Sequence, residues 1–244
     1  MKTVSLGGLT VRLSGGSDGS GGGDGPVVVL LHGFGAPADD LVSLGDVYPR
    51  AMGAAAAARG PVRFAFPAAP LSLDLWPGAR AWWMIDLARY EAALSGGDPR
   101  TLADDVPDGL AAARERVLAM LDALQAELAV AGGRIVLGGF SQGAMVACDV
   151  ALRSDRTLAG LVLLSGTFLC RGEWSPLMAA RAGLPVFQSH GRQDPLLPFS
   201  LADELSQALA AAGLGVDFLP FAGGHEIPPA VLARSAAFLG RVLA

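Results

Sequence analysis

The stretch RIVLGGFSQGAMVACDVALRS, residues 134–154, decides the fold class of this chain. It begins with a short apolar run, passes through the glycine-rich GGFSQG, and continues with Met145, Cys148 and Leu152 at helical spacing. A buried strand, a tight turn and a helix in this order are typical of a parallel sheet covered by helices. The turn contains G-x-S-x-G with Ser141 at its centre, a pattern that often presents a nucleophilic serine.

A second copy of G-x-S-x-G lies at residues 15–19, centred on Ser17. With 33 glycines among 244 residues, about 0.3 such matches are expected by chance, so the pattern alone identifies nothing. Ser17 lies in a Gly/Ser/Asp tract, residues 14–25, that contains no apolar residue, and we expect this tract to be a flexible surface loop. Ser141, between a strand and a helix, is therefore the candidate nucleophile.

The rest of the chain repeats this alternation of strands and helices. Apolar runs predict buried strands at 27–31, 62–66, 134–138, 158–164, 184–188 and 216–220, and helical patterns lie at about 41–58, 110–128, 142–154, 199–212 and 228–243. Alternating apolar residues from Val4 to Leu13 predict a β-hairpin before them. We expect an α/β fold with a mostly parallel central sheet, helices on both faces and an N-terminal β-hairpin. No shift in composition divides the chain, which predicts one domain over residues 1–244.

Composition limits the classes of function. Charged residues make up 17% of the chain, the net charge is −5 and no basic stripe is present, so we expect no nucleic-acid partner. No apolar run approaches the ~18 residues of a membrane span, and no signal-peptide core follows Lys2, which predicts a cytoplasmic protein without stable membrane insertion. Cys148 and Cys170 match no disulfide or zinc pattern and are expected to be reduced and buried. The three scattered histidines do not suggest a metal site.

A serine hydroxyl needs a histidine to remove its proton and a carboxylate to orient that histidine. In this architecture the acid and then the histidine follow the serine along the chain. His225, in the glycine-rich FAGGHEIPP after the last predicted strand, is the candidate general base. His190 and His32 are instead expected to be hydrogen-bonded histidines that stabilise loops. Asp194, in SHGRQDPLLP between Ser141 and His225, is the candidate acid.

Acyl transfer also needs N–H donors aimed at the developing oxyanion. The backbone amide of Gln142, directly after the candidate nucleophile, is one such donor. The loop LLHGFGAPADD after an early strand supplies the second, and Phe34 has the position expected for it.

Apolar residues near these loops are candidates for an acyl pocket. The segment 70–100 is long and rich in tryptophan, and we interpret it as a candidate pocket-covering segment. Buried tryptophan serves packing as well as binding, so both interpretations stay open for Trp82 and Trp83. The other pocket candidates, which flank the predicted site, are Phe168, Leu169, Leu196 and Leu197.

Seven motifs occur in the order LHGFGAPADD, FPAAP, ARAWWMID, GGFSQGA, SGTF, SHGRQDPLLP and GGHEIPP. Together they resemble the phospholipase/carboxylesterase family of α/β-hydrolases, which includes bacterial carboxylesterases and acyl-protein thioesterases. The resemblance covers nearly the whole chain from Val27 onward, and it implies the same triad and the same two oxyanion donors. The chain departs from the family pattern at the glycine-rich tract 14–25 and at the long segment 70–100.

These observations predict a serine carboxylesterase that hydrolyses short- to medium-chain carboxylic esters through an acyl-serine intermediate. A small-molecule ester is the expected partner, and no metal or organic cofactor is implied. Thioesters and lysophospholipids are close alternatives, and lactone or peptide hydrolysis would use the same acyl-transfer machinery. A non-catalytic binding module is disfavoured because every candidate catalytic position is present. The sequence leaves the oligomeric state open, with a homodimer among the options.

Overall fold

The computed structural model describes residues 1–52, 60–95 and 98–244. Its strands are β1 (Lys2–Leu6), β2 (Leu9–Gly16), β3 (Ser20–Gly22), β4 (Val27–Leu31), β5 (Arg63–Pro67), β6 (Leu71–Ser72), β7 (Arg80–Ala81), β8 (Ile135–Phe140), β9 (Gly160–Leu164), β10 (Pro185–Gly191) and β11 (Gly215–Phe221). Its helices are α1 (Leu44–Met52), α2 (Leu87–Ser95), α3 (Leu110–Leu128), α4 (Gln142–Arg153), α5 (Arg171–Met178), α6 (Phe199–Ala211) and α7 (Pro229–Val242).

The strand order across the main sheet is β1-β2-β5-β4-β8-β9-β10-β11, with β3 paired to β2 off this path. Every neighbouring pair from β5 to β11 in this order is parallel. Strands β1 and β2 form an antiparallel hairpin, and β2 also runs antiparallel to β5. The predicted sheet and its hairpin are thus confirmed. The carboxyl ends of the parallel strands meet at one edge, where sheets of this kind hold their functional loops.

Helices cover both faces of this sheet. In β4, Val27, Val29 and Leu31 pack into one core that includes α3, α4, α5 and α6. Val28 and Leu30 of the same strand pack into a second core with α1 and α7. Alternate side chains of one strand therefore face opposite helical layers, which explains why the apolar run VVVLL is continuous.

Four of the five predicted helices lie close to their predicted bounds, as α3, α4, α6 and α7. The fifth, predicted over about 41–58, is described as α1 up to Met52, and residues 53–59 lie outside the described residues. Helix α5 was not predicted because Gly172 and Pro176 interrupt its apolar spacing, and it buries only Trp174 and Met178. Over the part of the chain that the structure describes, no helix combines the length and hydropathy needed to cross a membrane.

The expectation of a loop over the glycine-rich tract 14–25 is wrong for residues 14–16 and 20–22, which are strand, whereas residues 17–19 form a turn and 23–25 lie outside the strands. Strand β2 continues to Gly16, and β3 pairs with it in parallel. The carboxylate of Asp18 accepts hydrogen bonds from the amides of Ser20 at 2.8 Å and Gly22 at 2.9 Å, which shapes the turn between the two strands. Hydrogen bonds to the backbone groups of this tract hold it in place, and such bonds leave no hydropathy pattern in the sequence.

A buried arginine secures the end of the same tract. Arg63, at the start of β5, donates from its guanidinium to the carbonyls of Gly23 and Gly25, both at 2.8 Å. The same group donates to the carbonyl of Leu128 at the end of α3, at 2.9 Å. One side chain therefore joins the tract, the sheet and a helix.

Strand β1 forms one edge of the main sheet. The ammonium of Lys2 pairs with the carboxylate of Glu127 on α3 at 3.1 Å, and its side chain keeps 53% of its surface exposed. This ion pair joins the hairpin to the helical layer on one face of the sheet. Strand β1 lies four positions from β8 in the strand order.

Candidate active site

Ser141 occupies the sharp turn between β8 and α4. Its φ of 55° and ψ of −121° are a strained conformation for a residue with a side chain. Its amide donates to the carbonyl of Leu164 in β9 at 2.9 Å, and its carbonyl accepts from the amides of Ala144 and Met145 at 3.0 and 3.2 Å. The turn is therefore fixed from both sides and places Ser141 on a cavity at the carboxyl edge of the sheet.

Two glycines allow this turn to approach its neighbours. A Cβ atom on Gly143 would lie 2.0 Å from the carbonyl oxygen of Leu31, and one on Gly139 would lie 2.5 Å from the same atom. Real side chains do not approach a backbone oxygen so closely. The pattern G-x-S-x-G is thus required here by the packing of α4 against the end of β4.

Asp194 and His225, which the sequence predicted as acid and base, are brought into direct contact. His225 Nδ1 donates to Asp194 Oδ2 at 2.7 Å, since an ionised carboxylate can only accept. Asp194 Oδ1 accepts from the amides of Leu196 and Leu197, each at 2.9 Å. This arrangement leaves Nε2 of His225 as the ring nitrogen that can take a proton, and His225 lines the same cavity as Ser141.

The environment of Asp194 favours its charged form. Burial would raise the pKa of Asp194, but the hydrogen bonds from His225, Leu197 and Leu196 outweigh burial and hold this pKa below its ordinary value. The carboxylate is therefore ionised at neutral pH and keeps the His225 ring in one orientation.

The loops that carry Asp194 and His225 are joined to each other. The amide of Gln193 donates to the carbonyl of Gly223 at 3.0 Å, and the side-chain carbonyl of Gln193 accepts from the Gly223 amide at 2.7 Å. The hydroxyl of Ser165, a residue of the SGTF turn, donates to the carbonyl of Glu226 at 3.4 Å. Sequence reasoning gave Gln193 and Ser165 no role, because such braces depend on tertiary proximity alone.

The other two histidines are buried and hydrogen-bonded, in agreement with the prediction. His32 donates from Nδ1 to the carbonyl of Gly33 at 2.9 Å and accepts at Nε2 from the amide of Ala69 at 3.0 Å. His190 Nε2 donates to the carbonyl of Leu197 at 2.8 Å and lies 3.3 Å from Asp194 Oδ2. Burial lowers the pKa of both histidines, so both are neutral at pH 7.

Cys148 and Cys170 are buried and not bonded to each other, as predicted. Burial raises the pKa of both thiols, which keeps them protonated and unreactive. Among residues 1–52, 60–95 and 98–244, no group of three His, Cys, Asp or Glu side chains could hold a metal ion.

The two candidate oxyanion donors both lie close to Ser141. A Cβ atom on Gly33 would lie 3.3 Å from Ser141 Cβ, so the loop carrying Phe34 passes directly beside Ser141. Phe34, Ser141 and Gln142 all line one cavity. Within the described ranges, the backbone amides of Phe34 and Gln142 donate no hydrogen bond. Both N–H groups are therefore available to an oxygen held above Ser141.

The cavity has a volume of about 960 Å³, and four of the six predicted pocket residues line it: Trp83, Leu169, Leu196 and Leu197. The prediction is wrong for Phe168, which lies in the core with 1% exposure, and of the two interpretations left open for Trp82 the structure supports packing, since this side chain is 2% exposed and does not line the cavity. Trp82 donates its indole N–H to the carbonyl of His32 at 2.9 Å, and Phe168 packs on Trp174. All four residues of the pairs Trp82–Trp83 and Phe168–Leu169 belong to one core, but only the second member of each pair also lines the cavity.

Further apolar residues line the cavity without having been predicted. Half-exposed side chains surround its mouth, and buried ones form its floor. The mouth residues are Trp76, Met84 and Val106 beside Leu196, and the floor residues include Leu102, Met145 and Leu201 beside Leu169. Tyr90 of α2 also lines the cavity and donates its hydroxyl to the carbonyl of Leu196. The tryptophan-rich motif ARAWWMID was the only sequence pattern that indicated this wall of the cavity. No pattern predicted helix α2.

The sheet order and the strained turn after β8 define an α/β-hydrolase. A sequence model of the Phospholipase/Carboxylesterase family matches residues 22–243, and the chain belongs to that family. The resemblance carried by the seven motifs is thereby confirmed, as is the fold.

Curated relatives include acyl-protein thioesterases of fungi. Acyl-protein thioesterase 1 of Debaryomyces hansenii is 34% identical over 114 residues, which cover 45% of this chain and 49% of that protein. The protein of the same name from Candida albicans is 25% identical over 193 residues, covering 76% of this chain and 78% of that protein. The chain spans about half the length of the D. hansenii relative it matches.

Solved structures share the whole fold. The crystal structure of esterase PE8 superposes with a TM-score of 0.75 at 27% identity, covering 95% of this chain and 100% of that one. The carboxylesterase of Bacillus cereus has a TM-score of 0.69 at 20% identity, covering 96% of this chain and 94% of that one. The second likeness is one of fold alone.

Proposed function

We propose that this chain is a serine carboxylesterase that hydrolyses short- to medium-chain carboxylic esters through an acyl-serine intermediate. The observation that carries the proposal is the 2.7 Å hydrogen bond between His225 and Asp194 at the cavity that holds Ser141. An oriented imidazole that lines the same cavity as a strained serine can activate the serine hydroxyl for attack on a carbonyl.

In the first half-reaction, Ser141 Oγ attacks the ester carbonyl carbon while His225 Nε2 takes the hydroxyl proton. The resulting oxyanion accepts N–H groups from Phe34 and Gln142. Collapse of the tetrahedral intermediate breaks the bond to the alcohol oxygen, which leaves with the proton from His225. The products of this step are the free alcohol and an acyl ester of Ser141.

In the second half-reaction, a water molecule gives a proton to His225 Nε2 and attacks the acyl carbon. The same two amides stabilise the second oxyanion. When this intermediate collapses, Ser141 Oγ leaves and recovers its proton from His225, and the carboxylic acid is released. Asp194 stays ionised throughout and stabilises the imidazolium that forms in each half-reaction.

A thioesterase is the second candidate, because the chain is similar to acyl-protein thioesterases and its cavity is large and mostly apolar. Both reactions pass through the same acyl-serine and differ only in the leaving group. Lysophospholipid, lactone and peptide hydrolysis are further variants on this scaffold. A panel of oxoesters and thioesters with matched acyl chains, extended by a lysophospholipid, a lactone and an amide, separates these substrates. Cytoplasmic location stays a prediction from the sequence.

The decisive test compares Ser141→Ala with Ser17→Ala, which alters the other G-x-S-x-G serine. We expect Ser141→Ala to abolish labelling by a fluorophosphonate probe and to lower kcat for an aryl ester by about 10⁴-fold or more. Ser17→Ala should keep both at wild-type levels. Full hydrolysis by Ser141→Ala, or labelling of that variant at the wild-type rate, would overturn the proposal.

A further inference from the structure

The side chain of Gln142 makes contacts that its role as a backbone donor does not require. It is fully buried, and its Oε1 accepts from the amide of Trp82 at 2.9 Å. Its Nε2 donates to the carbonyl of Trp83, also at 2.9 Å. One amide side chain thus pairs with the N–H of Trp82 and with the carbonyl of Trp83.

Trp82 carries this connection onward to the loop after β4. Its indole N–H donates to the carbonyl of His32 at 2.9 Å, and its ring lies 5.8 Å from the His32 ring. The carbonyl of His32 belongs to the peptide bond between His32 and Gly33, and Gly33 directly precedes Phe34. Hydrogen bonds therefore lead from the side chain of Gln142, through Trp82, to the loop that carries the second oxyanion donor.

The segment that contains Arg80 and Trp82 also holds the loop after β4 at a second point. The amide of Gly35 donates to the carbonyl of Arg80 at 2.8 Å, and the amide of Arg80 donates to the carbonyl of Ala36 at 3.2 Å. Arg80 lies two residues before Trp82, so the position of the loop depends on the position of this segment. Gln142 ties the segment to the turn that carries Ser141.

We infer that Gln142 is a positioning residue for the oxyanion hole: acting through Trp82, its side chain sets the separation between its own backbone N–H and that of Phe34. This inference rests on the proposed function. Trp82 does not line the cavity and the buried amide of Gln142 is occupied by protein groups, so neither side chain contacts the reacting atoms. Both act on catalysis only through the two backbone donors.

The chemistry of the contact selects glutamine. One atom must accept from an N–H while the other donates to a carbonyl, and a primary amide does both. Methionine has a similar length but does neither, and it would leave two buried backbone groups of Trp82 and Trp83 unpaired.

The test compares Gln142→Met and Trp82→Phe on two substrates, an aryl ester and the thionoester in which sulfur replaces the carbonyl oxygen. Sulfur accepts hydrogen bonds poorly and sits farther from carbon, so the ratio of kcat/KM between oxoester and thionoester reports the geometry of the oxyanion hole. We expect this ratio to fall about tenfold or more in each variant, with a lower kcat and a KM within about threefold of wild type. The double variant should lose little more than either single variant, because both interrupt one connection.

Phe187→Leu is the control for a loss of stability, since Phe187 is buried in the core on the other face of the sheet. Its oxoester-to-thionoester ratio should equal that of the wild type. If Gln142→Met does not fold, Trp82→Phe still removes only the indole N–H and keeps an aromatic ring.

An unchanged ratio in Trp82→Phe and Gln142→Met, with a lower melting temperature alone, would overturn the inference and leave the esterase proposal intact. A wild-type protein that hydrolyses neither substrate would instead overturn the proposed function, and this inference with it.

Discussion

Asp194 is buried and yet charged, because each of its oxygens meets a donor. Two backbone amides hold Oδ1, and the imidazole of His225 holds Oδ2. A charge in this position is stable only while those donors remain. The role of this carboxylate in orienting His225 and its contribution to stability therefore have the same physical origin.

We expect Asp194→Asn to lower kcat by about 10³- to 10⁴-fold with little change in KM, because an amide does not hold His225 in the tautomer that leaves Nε2 unprotonated. Activity against an aryl ester over a range of pH measures this effect. Asp203→Asn, on a partly exposed helical position, is the control and should keep wild-type activity.

The same substitution has an expected effect on stability. The pKa of Asp194 is lower in the folded protein, so its ionised form stabilises the fold above the unfolded pKa of about 4, and this contribution is lost as the pH falls through the folded pKa. Urea unfolding at a series of pH values should show the wild type losing stability relative to Asp194→Asn below about pH 4. A constant difference between the two proteins from pH 3 to pH 7 would contradict this expectation.

At the scale of single residues, the sequence predicted the three members of the candidate triad and missed the residues that support them. Ser141, Asp194 and His225 were found from a motif and from their order along the chain. The side-chain role of Gln142 and the inward direction of Trp82 were not, because both follow from contacts between residues about 60 positions apart. Local patterns contain no information on such contacts.

Among the secondary-structure elements, the contact of β4, β8 and α4 is the tightest part of the site. Only Ser141 separates the end of β8 from the start of α4, and Gly143 lets the first turn of the helix lie against the carbonyl of Leu31. A methyl group cannot be accommodated there unless the helix moves.

We expect Gly143→Ala to lower the free energy of unfolding by about 3 kcal/mol or more, because its Cβ would lie 2.0 Å from a backbone oxygen. Gly172→Ala in α5 is the matched control, since a Cβ there meets no atom within 4 Å. That variant should be slightly more stable than wild type, by roughly 0.5 kcal/mol, because alanine favours helix. Denaturant unfolding of both variants measures these changes in stability. A Gly143→Ala variant as stable as the wild type would contradict the expectation and show that α4 can shift at little cost.

The sequence predicted secondary-structure elements accurately where burial sets the spacing of apolar residues. It failed where hydrogen bonds to backbone groups hold a segment in place. The strands and the amphipathic helices have apolar spacings set by the two cores. The tract 14–25 has no such spacing, and its order depends on Asp18 and on the guanidinium of Arg63. Nothing in the tract itself indicates that an arginine about 40 residues away binds its carbonyls.

On the scale of the whole molecule, the cavity is lined by several segments that are distant from one another in the sequence. Its mouth contains side chains from the segment after β7, from the turn before α3 and from the loop after β10. The predicted pocket-covering segment 70–100 supplies one wall through residues such as Trp83 and Met84.

We expect Met84→Ala to raise KM for a long-chain aryl ester by about three- to tenfold while KM for the acetate changes by less than about twofold. Met84 is 59% exposed and lines the cavity, and we expect a long acyl chain to contact it and an acetyl group not to reach it. Loss of about 50 Å² of apolar contact at ~25 cal/mol per Å² corresponds to roughly 1.3 kcal/mol, close to tenfold in affinity.

Leu71→Ala is the control for Met84→Ala, because Leu71 is 39% exposed and does not line the cavity. Its KM values should match those of the wild type for every chain length. Equal changes for acetate and long-chain esters in Met84→Ala would contradict a mouth that contacts only the longer chains.

The edge position of β1 has a practical consequence for handling the protein. Lys2 is the only lysine in the sequence, and its half-exposed amine lies four strands from β8, about 19 Å across the sheet at ~4.8 Å per strand. The other 17 Lys/Arg positions are all arginine, and guanidinium groups do not react with common acylating supports. Coupling through side-chain amines would therefore attach each molecule in a single orientation, with the substrate entrance left open to the solution.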